Sequence, residues 1–133
     1  MPSYAEQLAI DIEKITDYLE ANQLTAESTS SGVYYIIEEE GTGNYPTLSS
    51  TISVEYTGKF LDGSVFDSGT LPDFQLGGLI QGWKEGLQLF KEGSRGKLFI
   101  PSGLGYGVAD YGPIPGNSVL IFDIYLLAVS DAE

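Results

Sequence analysis

Histidine and cysteine are both absent from this 133-residue sequence, which decides much of its chemistry before any motif is read. No Ser-His-Asp triad, Cys-His pair or imidazole metal site can be assembled, and no disulfide can form. Carboxylates, phenols, backbone groups and shape remain. Asp67 and Asp73 could be paired as a carboxylate hydrolase, but retaining glycosidases hold their carboxyls about 5–5.5 Å apart beside a sugar-binding groove, and nothing here signals one. A calcium loop fails as well, because no Asp-rich stretch has ligand spacing. Shape is more informative. In Leu76-Gly77-Gly78-Leu79-Ile80-Gln81-Gly82-Trp83, glycines allow a sharp turn and helical spacing follows. Leu79, Trp83 and Leu87, with Ile80 and Phe90 alongside, share one face. Trp83, the only tryptophan, reads as the largest core residue or as the floor of an apolar pocket where helix meets sheet. Tyr106 stands between Gly105 and Gly107, a tight backbone that would aim its phenol.

The elements that must position these groups follow in order. Ser3-Tyr4-Ala5-Glu6 has the form of a capping box, predicting a helix over Tyr4–Ala21 with Asn22 as its stop. Leu8, Ile12, Ile15 and Leu19 form its apolar stripe, with Asp11, Glu13, Asp17 and Glu20 off it. The stripe suits its own domain or a second copy. Residues 25–32 are polar, lack periodicity and read as a linker. From Val33 the period changes to two, giving a strand that ends in Glu39-Glu40-Gly41. Ile52, Val54 and Tyr56 define a second strand. Asp62-Gly63 signals a hairpin, with Val65 and Phe66 returning. Residues 68–73, with Gly69 and Pro72, read as a turn, and Phe74-Gln75-Leu76 as a short extended piece. Arg95–Ile100 is a strand closed by Pro101. Residues 102–117 form a long loop with five glycines and two prolines, and loops of that length are often functional. Val119–Val129 is predicted as a central strand. The expected fold is α+β: a five-stranded, mainly antiparallel sheet wrapped on one short helix, with an extra N-terminal helix. The expected division is 1–31, helix and linker, and 32–133, one domain.

Six basic against nineteen acidic residues give a net charge of −13. That argues against nucleic acid and anionic membrane, whose phosphates need local cations, and favours solubility as the role of the acidity. No apolar run approaches the roughly 20 residues of a membrane helix. The N-terminus lacks a positive start followed by an apolar block, so a cytoplasmic location is expected, with an exported or periplasmic trimmed form as the alternative.

Three separated pieces then take on a common meaning. They are Val54-Glu55-Tyr56-Thr57-Gly58 through Gly63-Ser64-Val65-Phe66-Asp67-Ser68; Leu79-Ile80-Gln81-Gly82-Trp83; and Gly105-Tyr106-Gly107 through Ile114-Pro115-Gly116-Asn117, with Val119–Asp123. In this order they resemble the FKBP-type peptidyl-prolyl isomerases over roughly residues 32–129. The resemblance implies the family's fold and activity: rotation of X–Pro bonds in an apolar aromatic cleft, with no cofactor and no covalent or acid–base step. It implies that Tyr56, Phe66, Asp67, Tyr106 and Phe122 act on the prolyl bond, and that Leu79, Ile80, Trp83, Ile114 and Phe74 bind substrate. Trp83 would lie beneath the proline ring, and the Ile80 N–H and Tyr106 hydroxyl would donate to carbonyls of the bound chain. Proline-containing polypeptide clients and rapamycin-type macrolides are the implied partners, for a monomer or a dimer through the N-terminal helix. Asp67 is either a carboxylate at the pocket edge, bonded to Tyr56, or a turn cap.

The sequence departs from the family pattern in three places. No arginine lies between Asp67 and Phe74, Pro113 replaces the usual large apolar residue before Ile114, and Pro72-Asp73 stand where a wall residue often lies. Altered substrate preference and weaker macrolide binding are expected. The competing function is a binding or chaperone module that keeps the cleft but turns over poorly.

Overall fold

The first helix, α1 (Tyr4–Ala21), begins where the capping box places it: Ser3 Oγ accepts from the Glu6 N–H at 3.1 Å, and the Glu6 carboxylate accepts from the Ser3 N–H at 3.2 Å. Asn22 ends it, its side-chain amide donating to the Tyr18 carbonyl at 2.8 Å. Ile15 and Leu19 are buried and Leu8 and Ile12 half-buried, as the stripe requires. Asp11 departs from expectation. It is fully buried rather than on the solvent side with Glu13, Asp17 and Glu20. The computed structural model describes residues 3–107 and 109–130, so the outer ends of the expected segments 1–31 and 32–133 lie outside it.

The linker carries structure of its own. Within it β1 (Glu27–Ser28) pairs antiparallel with β2 (Tyr34–Glu39), and the Thr29 carbonyl closes the intervening turn on the Gly32 N–H at 3.1 Å. A two-residue strand has no periodicity to read. With β3 (Thr51–Lys59), β4 (Val65–Gln75), β5 (Arg95–Ile100) and β6 (Leu120–Ser130), the sheet has six strands in the order β1-β2-β5-β6-β3-β4. Every pairing is antiparallel, and β6 is central as expected.

Residues 68–73, expected as a turn, instead continue β4 as an edge strand. Leu71 pairs with Val54 and Phe74 with Ile52, so two residues, Pro72 and Asp73, oppose Ser53 alone. This is a β-bulge. Asp73 takes φ 54° there and donates its N–H to Ser53 Oγ at 3.1 Å. Pro72 is tolerated because an edge strand has one side without ladder bonds.

Alternation divides the sheet into two faces. Leu98, Ile100, Leu120, Phe122, Ile124 and Leu126 pack in the larger core, with Trp83 and Leu87 of α2 (Gln81–Leu87). Phe99, Val119 and Ile121 pack on the other face with Ile15 and Leu19 of α1. A helix as short as α2 is held by contact. Gly82 and Gly86 bring it down on β5: a Cβ at either would come within 2.6 Å of Ile100 or 2.5 Å of Leu98. Lys59 of β3 and Lys97 of β5 each meet the Asp123 carboxylate of β6 at 2.6 Å, stitching three strands together. Burial pushes the Asp123 carboxyl up, but its bonds to the two ammonium groups outweigh this and hold it below the usual carboxylate range.

Candidate active site

The cleft forms where β3, β4 and β6 face the approach to α2. A 3-10 turn, Leu76–Gly78, ends with Leu79 N–H donating to the Leu76 carbonyl at 3.1 Å, and Ile80 then caps α2 with extended backbone. The Ile80 carbonyl accepts from the Trp83 and Lys84 N–H groups, both at 3.0 Å. The Ile80 N–H has no protein acceptor among the described residues. It is a donor at the cleft wall, aimed by the turn before it.

Four rings build the interior. Trp83 meets Phe122 at 5.2 Å and 87° and Tyr56 at 5.4 Å and 75°, while Phe66 meets Phe122 at 5.8 Å and 81°. These are edge-to-face contacts, the geometry aromatic quadrupoles favour. Gly58 makes the meeting possible: a Cβ there would lie 2.6 Å from the Phe66 ring and 3.0 Å from that of Phe122. Trp83 and Phe122 are nearly inaccessible, at 4% and 3%, whereas Tyr56 and Phe66 are half-buried. The rings therefore line a hollow instead of filling it. Its volume is about 240 Å³, and Leu71, Gly78, Leu79, Ile80, Tyr106 and Tyr111 complete the lining with Asp67. The Trp83 indole N–H is buried with no acceptor among the described residues.

Among the described residues, Asp67 is the only charged one of the lining. Its carboxylate accepts from the Tyr56 hydroxyl at 2.8 Å. Burial first, then this bond and the nearby negative charge, push the Tyr56 hydroxyl up to about 12. Tyr56 therefore stays protonated, and remains a donor, throughout the neutral range. Burial also pushes the Tyr106 hydroxyl up, reinforced by Tyr111 and Asp67. Tyr106 stacks on Tyr111, with centroids 4.5 Å apart and planes 15° from parallel. Among the described residues, no group of three or more Asp or Glu is placed to hold a metal ion.

Most of the expected residues come together: Tyr56, Phe66, Asp67, Leu79, Ile80, Trp83, Tyr106 and Phe122 share one cleft. Ile114 and Phe74 do not. Ile114 is 4% exposed in the main core, where its N–H and carbonyl exchange bonds of 2.9 and 2.8 Å with Tyr111. It holds Tyr111 in place, and Tyr111 reaches the cleft instead. Phe74 lies one ladder pair beyond Leu71, past the bulge, and is 46% exposed. Leu71 takes the wall position. Neither Tyr111 nor Leu71 was expected. Tyr111, next to Gly112 in the glycine-rich loop, repeats the setting of Tyr106 and could have been found by it; Leu71 was hidden by reading residues 68–73 as a turn. Asp73 lines no part of the cleft, so the carboxylate pairing has no site here.

A family model described as FKBP-type peptidyl-prolyl cis-trans isomerase matches residues 43–127. The chain belongs to that family. It is 44% identical over 123 residues to the FKBP-type peptidyl-prolyl cis-trans isomerase FkpA of Aeromonas hydrophila, covering 88% of this chain and 46% of that protein. It is 46% identical over 107 residues to the outer membrane protein MIP of Legionella longbeachae, covering 77% of this chain and 46% of that one. The chain thus spans about half the length of these relatives. The crystal structure of FkpA from Escherichia coli superposes with a TM-score of 0.82 at 38% identity, over 95% of this chain and 62% of that one. The superposed 95% shows that the likeness extends beyond the FKBP-type match into the N-terminal part of this chain.

Proposed function

We propose that the chain is a peptidyl-prolyl cis-trans isomerase acting on proline-containing polypeptides and assisting their folding. The observation that carries this reading is the open aromatic hollow: four rings linked by three edge-to-face contacts around about 240 Å³, with Asp67 the one carboxylate among the described lining residues. Turning an X–Pro bond means breaking amide resonance against a barrier of about 18–20 kcal/mol, and the uncatalysed event takes tens to hundreds of seconds. The twisted amide has lost its charge-separated resonance form and is less polar than the planar one. An apolar aromatic surround disfavours the planar dipole more than the twisted state, and this difference lowers the barrier. A million-fold acceleration needs about 8 kcal/mol from all such effects.

In this reading Trp83 lies under the proline ring, with Phe66 and Phe122 as walls. The Ile80 N–H and Tyr106 hydroxyl donate to carbonyls of the bound chain. Asp67 and Tyr56 fix one another at the rim. A rapamycin-type macrolide would compete for the same hollow. Because α1 packs Ile15 and Leu19 on its own sheet, the chain works as a monomer in this reading, which sedimentation equilibrium checks. The outer-membrane name of the Legionella relative supports the exported form of the protein over a cytoplasmic one. No helix among the described residues is long and apolar enough to cross a membrane.

A protease-coupled assay on Leu-Pro-Phe peptides, with a macrolide control, tests the reading. A rate above background that the macrolide abolishes is expected. Binding of the same peptides by fluorescence of the single tryptophan, without any acceleration, would favour a holding module. Its support is that Asp67, exposed at the rim, has only Tyr56 as a hydrogen-bond partner among the described residues.

A further inference from the structure

Among the described residues, Asp11 is the only charged side chain classed as buried, and no cation pairs with it. Burying a carboxylate without a cation is costly unless hydrogen bonds satisfy it. Packing of α1 on the sheet does not require a carboxylate at this position, since Ile15 and Leu19 already supply the apolar contact. The donors that satisfy Asp11 show where it acts. One carboxylate oxygen accepts from the Ser102 N–H at 2.9 Å and also from the Ser102 hydroxyl; the other accepts from the Gln7 side-chain amide at 2.9 Å.

Ser102 opens the loop that carries Tyr106. It begins a 3-10 turn, Ser102–Leu104, and its carbonyl accepts from the Gly105 N–H at 3.1 Å and the Gly107 N–H at 2.8 Å. The residue gripped from α1 therefore holds both neighbours of Tyr106. Gly107 passes the constraint on, its carbonyl accepting from the Asn117 N–H at 2.9 Å where the loop returns. Tyr4, also on α1, packs so closely on the turn that a Cβ at Gly103 would come within 2.5 Å of its ring.

We propose that Asp11 is a positioning residue for the isomerase site: through Ser102 it fixes the turn that aims Tyr106 at the cleft. The N-terminal helix is then a working part of the site and not an appendage to it. The activity half of this proposal rests on the isomerase reading above; the structural half does not.

The test uses the full chain carrying Asp11→Ala, Asp11→Asn, Ser102→Ala or Ile15→Ala, and Asp11→Ala combined with Tyr106→Ala. Two quantities are read: kcat/KM on a Leu-Pro-Phe peptide, and amide hydrogen exchange at Gly105 and Gly107. Asp11→Ala is expected to lower kcat/KM by up to about five-fold, the scale of the one hydrogen bond of about 1 kcal/mol that a misaimed Tyr106 would lose. Exchange at Gly105 and Gly107 should rise by more than it does at Leu98 and Phe122 in the core strands. Asp11→Asn keeps an oxygen for both Ser102 donors and should recover most of the rate. Ile15→Ala, which destabilises α1 from its other contact, should leave kcat/KM unchanged. In the Tyr106→Ala background, Asp11→Ala should cost nothing further. If Asp11→Ala does not fold, Ser102→Ala, which leaves the N–H bond in place, should show the same pattern at roughly three-fold. The proposal is overturned if the folded Asp11 or Ser102 variant has wild-type kcat/KM and loop exchange. An equal loss in Ile15→Ala, or a full loss added to Tyr106→Ala, would also overturn it, because either shows that Asp11 supports only the fold. An inactive wild-type chain would remove the isomerase reading, and the exchange rates would still decide the coupling.

Discussion

At Tyr56 one hydroxyl connects the electrostatics of the site to its stability. In the folded chain burial and Asp67 push this phenol from 10.0 up to about 12. Between those values the unfolded chain has released the proton and the folded chain still holds it. Folding stability from this group is therefore complete below pH 10 and is lost as pH rises toward 12. Thermal unfolding between pH 9 and about 12 should show a steeper fall for wild type than for Tyr56→Phe. Tyr35 and Tyr106 are raised as well, but they are common to both proteins and cancel in the comparison. Parallel curves would mean that the Tyr56–Asp67 bond is absent in solution. The aromatic hollow makes its own prediction. Phe66→Ala removes a half-buried wall ring and should lower kcat/KM at least ten-fold, about 1.4 kcal/mol. In the proposed site Tyr106→Phe would remove one hydrogen bond to the bound peptide, about 1 kcal/mol, and should cost only about five-fold. The reverse order in a peptide assay would defeat the apolar account of the rate. These ring residues were legible because each lies in a short motif beside a turn or glycine. Asp11 was not, since the Ser102 N–H and hydroxyl that satisfy one of its oxygens lie 91 residues away, and the local Gln7 amide alone does not signal burial.

Among the elements, α2 shows how a seven-residue helix can hold a site in place. It lies close enough to β5 that a methyl group at Gly86 would stand 2.5 Å from a buried Leu98 carbon. Leu98 is enclosed and has little room to give, so Gly86→Ala should lift the helix and Trp83 with it. A loss of about 1–3 kcal/mol in the urea midpoint is expected, with a change in Trp83 emission that reports the altered hollow. Unchanged emission and stability would show that the helix does not hold the cleft by close approach. The reading of this element from sequence rested on apolar spacing, which placed Trp83 against the sheet but assigned Leu79 and Ile80 to the helix. They precede it, and their extended backbone is what leaves the Ile80 N–H without an acceptor among the described residues. The bulge at Pro72–Asp73 was unreadable for a related reason. Proline and glycine there resemble a turn, and only the pairing with Ser53 reveals a strand that carries on with one residue too many. Phe74 was assigned to the cleft through the family resemblance, and the bulge leaves it one ladder step too far along.

At the scale of the whole molecule, charge would act on the proposed peptide substrate before the hollow does. The net charge is −13, and among the described residues the lining of the cleft holds Asp67 with no cation. A peptide approaching that opening would meet a net negative charge, with no cation among the described lining residues to offset it. Such fields raise encounter rates for oppositely charged partners and are screened beyond a Debye length, about 8 Å at physiological salt and about 3 Å at 1 M. Paired substrates that differ only in Lys or Glu two residues from the proline should separate the two contributions. At low ionic strength kcat/KM should favour the Lys peptide by several-fold, the size expected for modest steering, and the ratio should approach one in about 1 M salt. Turnover at saturating peptide should differ little between them, because the twisting amide meets the same rings in both. A preference that survives high salt would instead place a specific acidic contact at the rim, with Asp67 the residue to replace first. No preference at any salt would confine the acidity to keeping the chain soluble.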